Sequence, residues 1–213
     1  MLMLDQCRCF GDAASRNVFI QLVDDHDMEL LAREAEAVRD LTGRSDWCIR
    51  AIPVSDWNRD LTPWRADPVF GRQGFGDGAP ETLRTLLGAM TGDRCYCLCG
   101  YSLAGFFALW TAYQTDAFSG VVAASPSVWY PEWISYAERS RMQASAVYLS
   151  LGDREERTRN PVMATVGSSI RRQHELLVAA GIRTTLEWNS GNHFADSDRR
   201  TAKGIAWMLG TGL

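Results

Sequence analysis

The segment Gly100-Tyr101-Ser102-Leu103-Ala104-Gly105 holds the residues best placed to do chemistry. An apolar run, Tyr96 to Cys99, precedes it, and a strongly apolar stretch of helical character, Leu103 to Tyr113 (LAGFFALWTAY), follows it. A serine between a strand and a helix, flanked by small residues, has the setting of a nucleophile elbow. The tight turn would expose Ser102 Oγ at the top of a sheet. It would also put the Leu103 N–H at a helix N-terminus, where a developing oxyanion is stabilised. The plainer reading is a serine that only caps a helix. The succession of strand, glycine, serine, Ala-Gly and apolar helix favours the nucleophile.

A serine nucleophile needs a base, and the chain has three histidines: His26, His174 and His193. His174 lies within an amphipathic helical pattern, RRQHELL, and reads as solvated. His26 follows an early strand. His193 lies in Trp188-Asn189-Ser190-Gly191-Asn192-His193-Phe194, just past the last strand. A late strand-end loop can return a histidine over the elbow, and serine, acid, histidine is the chain order of this architecture. His193 is therefore the expected base. The base needs a carboxylate to fix its tautomer. Three compete in Leu151-Gly152-Asp153-Arg154-Glu155-Glu156, after the fifth strand, and the residues alone leave Asp153, Glu155 and Glu156 open. Asp153 is short enough to cap its own turn, whereas Glu155 has the length to reach an imidazole. Asp196 and Asp198 follow His193 and are expected to cap the last helix. A second oxyanion donor is expected from a backbone N–H after an early strand, in Val23-Asp24-Asp25, with Asp24 as the candidate.

Other chemistries find little support. There is no GxxxxGK[ST] phosphate loop and no GxGxxG fingerprint. Asp24, Asp25, His26 and Asp27 are consecutive and do not converge on a metal in a strand or a helix, so no metal and no cofactor is expected. The 213 residues carry a net charge of -4, with no basic, aromatic-interleaved stripe, which argues against a nucleic-acid partner. No stretch is apolar enough to span a bilayer, and the first residues, MLMLDQCRCFGD, lack the pattern of a signal peptide. Six cysteines are present, but Cys95, Cys97 and Cys99 alternate along one strand and share a face. Free thiols and a cytoplasmic location are the expectation.

These residues need a scaffold, and one sizeable domain over 1–213 is expected from the length and the 46% apolar content. Strands are read at Val18 to Val23, Trp47 to Val54, Tyr96 to Cys99, Gly120 to Ser125, Ala146 to Leu151 and Thr184 to Trp188. Helices are read from Met28 to about Leu41, Pro80 to Met90, Leu103 to Tyr113, Glu132 to Ser140, Pro161 to Ala180 and Asp198 to Leu209. Strands alternate with helices, and several are apolar on both faces. That pattern predicts a mostly parallel sheet of about six strands covered on both sides. Ligands bind such sheets beyond the carboxyl ends of the strands. A long irregular stretch, Ser55 to Pro80, is rich in Gly, Pro, Asp and aromatic residues. If exposed, Trp57, Trp64, Phe70 and Phe75, with Trp129 and Tyr130, would form an aromatic mouth; if buried, they would anchor the loop.

The sequence resembles the serine esterases of the α/β-hydrolase superfamily, the group of enterochelin esterase and esterase D. Gly100 to Trp110 is similar to that group's nucleophile segment, with Ala104 where a glycine is usual. Phe118 to Tyr130 (FSGVVAASPSVWY), Gly191 to Phe194 and Asn58 to Pro63 resemble further segments of the group, and few residues precede Val18 where the group has extra antiparallel strands. The resemblance implies an α/β-hydrolase fold and favours Glu155 as the acid. It implies a small-molecule ester or thioester substrate cleaved through an acyl-enzyme. An acyltransferase using the same intermediate, or a binding module without the aligned site, are the alternatives. Substrate identity and oligomeric state stay open.

Overall fold

A computed structural model describes residues 2–212. Among the described residues there are seven strands: β1 (Arg8–Gly11), β2 (Asn17–Val23), β3 (Cys48–Pro53), β4 (Cys95–Tyr101), β5 (Gly120–Ala124), β6 (Ala146–Gly152) and β7 (Arg183–Asn189). Between and after them come α1 (Asp25–Thr42), α2 (Trp57–Asp60), α3 (Ala79–Ala89), α4 (Ser102–Ala112), α5 (Trp133–Arg139), α6 (Val166–Ala179) and α7 (Ser197–Gly210). The sheet order is β1-β3-β2-β4-β5-β6-β7. Every neighbouring pair is parallel except β1 with β3. This is the α/β-hydrolase architecture. The sequence reading of six strands falls one short. The missing strand, β1, has four residues, three of them exposed, and it is defined by pairing at the sheet edge rather than by any apolar periodicity.

Alternation along the strands divides two apolar layers. On β2, Val18, Ile20 and Leu22 pack with α3, α4 and α6, while Phe19 and Val23 pack with α1 and α7. The same period puts Cys97 and Cys99 in the α1/α7 layer. All six cysteines are free. Burial pushes the Cys97 and Cys99 thiols well up, which suits packing and not reactivity. Helix α1 starts on Asp24, whose carboxylate accepts from the Asp27 N–H at 2.8 Å, and ends on Gly43 at φ 63°. No described helix is long and apolar enough to cross a membrane.

The topology positions the site. From β2 the chain crosses outward to β3, then returns to pair β4 on the opposite side of β2. The carboxyl ends of β2 and β4 therefore flank a switch point, where an open sheet leaves a crevice. Asp24 follows one of these ends and Ser102 the other.

Candidate active site

The elbow is built by close approach of backbone to backbone. A Cβ on Gly100 would lie 2.3 Å from the Ala104 carbonyl carbon, and one on Gly105 would lie 2.9 Å from the Gly100 oxygen. Glycine is needed at those two positions for α4 to sit against β4. Ala104 is itself buried, so the departure from the usual glycine costs no contact. Tyr101 is the N-cap and Ser102 opens the helix at φ 54°, a left-handed conformation for a non-glycine residue. Such a residue stores about 1–3 kcal/mol, held by its surroundings. Leu103 N–H lies in the first turn of α4, where no helical acceptor precedes it. Ser127 donates its backbone N–H to the Ser102 carbonyl at 3.0 Å, and its hydroxyl lies 3.4 Å from Ser102 Oγ.

His193 arrives on the loop after β7. Its Nε2 is 2.9 Å from Ser102 Oγ, and its Nδ1 is 2.7 Å from Glu155 Oε2. The other oxygen of Glu155 accepts from the Ser125 hydroxyl at 2.7 Å, the Gly152 N–H at 2.7 Å and Arg200 Nη1 at 2.9 Å. Burial alone would push the Glu155 carboxyl up. The hydrogen bond and charge of His193, with the bonds from Ser125 and Gly152, outweigh it and hold the group below its ordinary value. The two competing carboxylates lie elsewhere. Asp153 Oδ1 accepts from the Gly191 N–H at 2.9 Å and so braces the histidine loop, while Glu156 pairs with Arg171 at 3.2 Å.

A cavity of about 190 Å³ opens in front of Ser102 and His193, walled by Asp24, His26, Asp27, Trp57 and Phe194. Asp24 thus borders the same cavity as Ser102 and His193, as does the N-terminal turn of α1. Burial and the neighbouring Asp24 raise the Asp27 carboxyl to about 7, against the opposing charges of His26 and His193. On the other side of His193 a smaller pocket is walled by Ser125, Trp129, Met163 and Val166. The aromatic set divides. Phe75, Trp129 and Tyr130 are buried and meet one another in tilted and edge-to-face contacts, and Tyr130 donates to the Trp64 carbonyl at 2.6 Å. They anchor the long loop. Trp57 lines the cavity, and Phe194, 90% exposed, stands at its rim.

Two expectations need correcting. Neither Asp196 nor Asp198 caps α7 through its side chain: Asp196 holds the N-cap position at φ 51° without a capping bond, and Asp198 pairs with Arg33 at 3.1 Å. The solvated reading of His174 also needs amending, since it is half-buried on α6 and lies outside the cavity. No group of three or more potential metal ligands converges among the described residues.

Sequence reasoning missed Tyr101, Ser125, Ser127 and Arg200. Tyr101 donates its hydroxyl to the His193 carbonyl at 2.7 Å, and burial pushes that hydroxyl up to about 12. Arg200 had one available signal, its phase. It falls on the stripe of Thr201, Gly204, Ile205 and Met208 that α7 buries.

No protein-family model matches the sequence, and a search of curated proteins returns no match. Solved structures do match. A siderophore hydrolase of Aspergillus nidulans, EstA, superposes with a TM-score of 0.68 at 20% identity, over 95% of this chain and 86% of that one. A second from the same organism, EstB, gives 0.66 at 15% identity, over 95% and 88%. The enterobactin esterase of Shigella flexneri gives 0.64 at 16% identity, over 97% of this chain and 56% of its own. At these identities the likeness is one of fold: the chain has the fold of the α/β-hydrolases.

Proposed function

We propose that this protein is a serine hydrolase that cleaves a carboxylic ester or thioester through an acyl-enzyme. The observation that carries the reading is the unbroken chain of contacts Ser102 Oγ–His193 Nε2 and His193 Nδ1–Glu155 Oε2, at 2.9 and 2.7 Å. In this reading Ser102 Oγ attacks the carbonyl carbon as its proton passes to His193 Nε2. Glu155 keeps the other imidazole proton on Nδ1 and stabilises the imidazolium. The oxyanion forms against the Leu103 N–H at the head of α4, with the Asp24 segment across the crevice as the second candidate donor. Collapse breaks the carbonyl carbon's bond to the leaving oxygen or sulfur, which takes the proton from Nε2. Water then repeats the sequence on the acyl-serine and releases the acid.

The fold neighbours include siderophore hydrolases and an enterobactin esterase. They support ester cleavage as the reaction class. The test is hydrolysis of p-nitrophenyl acetate by wild type, Ser102→Ala and His193→Ala, with fluorophosphonate labelling of each. The expected result is labelling of wild type at Ser102 and loss of on the order of 10³-fold or more of the rate in both variants. Equal rates in all three would refute the proposal.

A further inference from the structure

Arginine is seldom fully buried, yet Arg200 is 1% exposed in the first turns of α7. Its Nη1 donates to Glu155 Oε1 at 2.9 Å, Tyr101 Oη at 3.1 Å and Ser125 Oγ at 3.1 Å. Its Nη2 donates to the backbone carbonyls of Ser190 at 3.1 Å and Asn192 at 3.0 Å, on either side of Gly191 in the loop that carries His193. Glycine makes room for it: a Cβ on Gly152 would lie 2.5 Å from the Gly191 oxygen and 2.9 Å from Arg200 Nη2.

Building on the serine-hydrolase reading, we propose that Arg200 is a positioning residue. It clamps the acid and the histidine loop in one rigid fork, and its fixed charge keeps the Glu155–His193 pair from taking up a proton at neutral pH. The two parts have separate physical causes. The clamp needs a planar guanidinium, because its two nitrogens reach acceptors on different segments, which a single ammonium cannot reproduce. The charge effect needs only a cation. Glu155 presents one oxygen to Arg200 and the other to His193, so a permanent positive charge opposes any proton arriving on the pair. Removing it favours the protonated pair, which is no longer a base, so the acid limb of reactivity moves to higher pH.

The other titratable groups facing the pair are Tyr101 from β4, Asp24, His26 and Asp27 at the start of α1, and Asp153 on the turn after β6. Tyr101 stays neutral over the range of interest. Asp27 is raised to about 7 and the His26 imidazole stands on the same wall, so the comparison is made in wild-type, Asp27→Asn and His26→Gln backgrounds.

The experiment measures the second-order rate of fluorophosphonate labelling at Ser102 from pH 5 to 9, which needs no knowledge of the substrate. It compares Arg200, Arg200→Lys and Arg200→Gln, with circular dichroism to score folding. Arg200→Lys should keep the acid limb near its original place and react about tenfold more slowly, because the clamp is lost and the charge retained. Arg200→Gln should move the limb up by on the order of one pH unit and react more slowly still. A structural role alone would slow both variants with the limb unmoved, and that result overturns the charge assignment. If Arg200→Gln does not fold, Arg200→Lys decides: an unchanged rate, or a displaced limb, overturns the proposal. Absence of labelling in wild type would overturn the hydrolase reading itself, and this role with it.

Discussion

Replacing Glu155 by glutamine changes one oxygen to an NH₂ and leaves the side chain's shape alone. The surroundings decide which way the amide points. Three donors, Ser125 Oγ, Gly152 N–H and Arg200 Nη1, converge on the Oε1 position at 2.7–2.9 Å. The amide oxygen must occupy that position, so the NH₂ faces His193 Nδ1, 2.7 Å away in wild type. The imidazole can then only accept at Nδ1, and its proton moves to Nε2, pointing at Ser102 Oγ 2.9 Å away. In that tautomer Nε2 has no lone pair for the serine proton. The expected loss in kcat/KM is about 10⁴-fold, the size seen when a triad acid is replaced by its amide, or about 5.5 kcal/mol of barrier. The variant also leaves the buried Arg200 charge without its counter-ion, at a cost of about 3–5 kcal/mol of stability. That corresponds to a fall in Tm of about 10 °C for a chain of this size. The assay is hydrolysis of p-nitrophenyl acetate at pH 8 alongside scanning calorimetry. Asp153→Asn is the control, since Asp153 accepts from the Gly191 N–H and pairs with Arg154 but does not touch the His193 ring, and it should keep activity to within about tenfold. If Glu155→Gln stayed within threefold of wild type while Asp153→Asn lost activity, the tautomer argument would be wrong and the role would pass to Asp153.

Other substitutions probe the scaffold. Glu34 is fully buried on α1, and burial raises its carboxyl to about 8, against the hydrogen bond from Gln21. Its folded pKa lies above the unfolded value, so the folded state holds the proton more tightly and stability falls as pH rises from about 4.5 through 8. Glu34→Gln should therefore leave stability near that of wild type at pH 5. At pH 8.5 it should be the more stable protein by up to about 5 kcal/mol, read from urea unfolding at the two pH values. Equal differences at both would refute the assignment. Gly100→Ala drives a Cβ into the α4 backbone and should cost more than about 3 kcal/mol, with loss of fluorophosphonate labelling. Ala104→Gly, which restores the glycine usual in the esterase pattern, should cost only about 1 kcal/mol by chemical denaturation. A gain in stability there would show that Ala104 is strained.

Much of this protein was legible locally. Strand β2, helix α1 with its Gly43 cap, and the strand-serine-helix turn at Ser102 are all written in runs of about ten residues, because their signals are periodicity, capping and small-residue spacing. Ser102 and His193 stood out for the same reason: one sits in a strained local motif, and the other is the histidine that follows the last strand. Strand β1 was not legible, because an edge strand of four residues is made by its partner and not by its own pattern. The acid could not be chosen from the residues alone. Asp153, Glu155 and Glu156 share one turn, and their sequence environments are nearly the same. What separates them is which side chain meets the His193 ring, Ser125 on a neighbouring strand end and Arg200 from α7, forty-five positions along the chain. Local sequence carries the candidate nucleophile because backbone geometry makes the turn that presents it. The candidate acid and its arginine belong to tertiary structure, because a buried charge is tolerable only where the fold brings its partners to meet it.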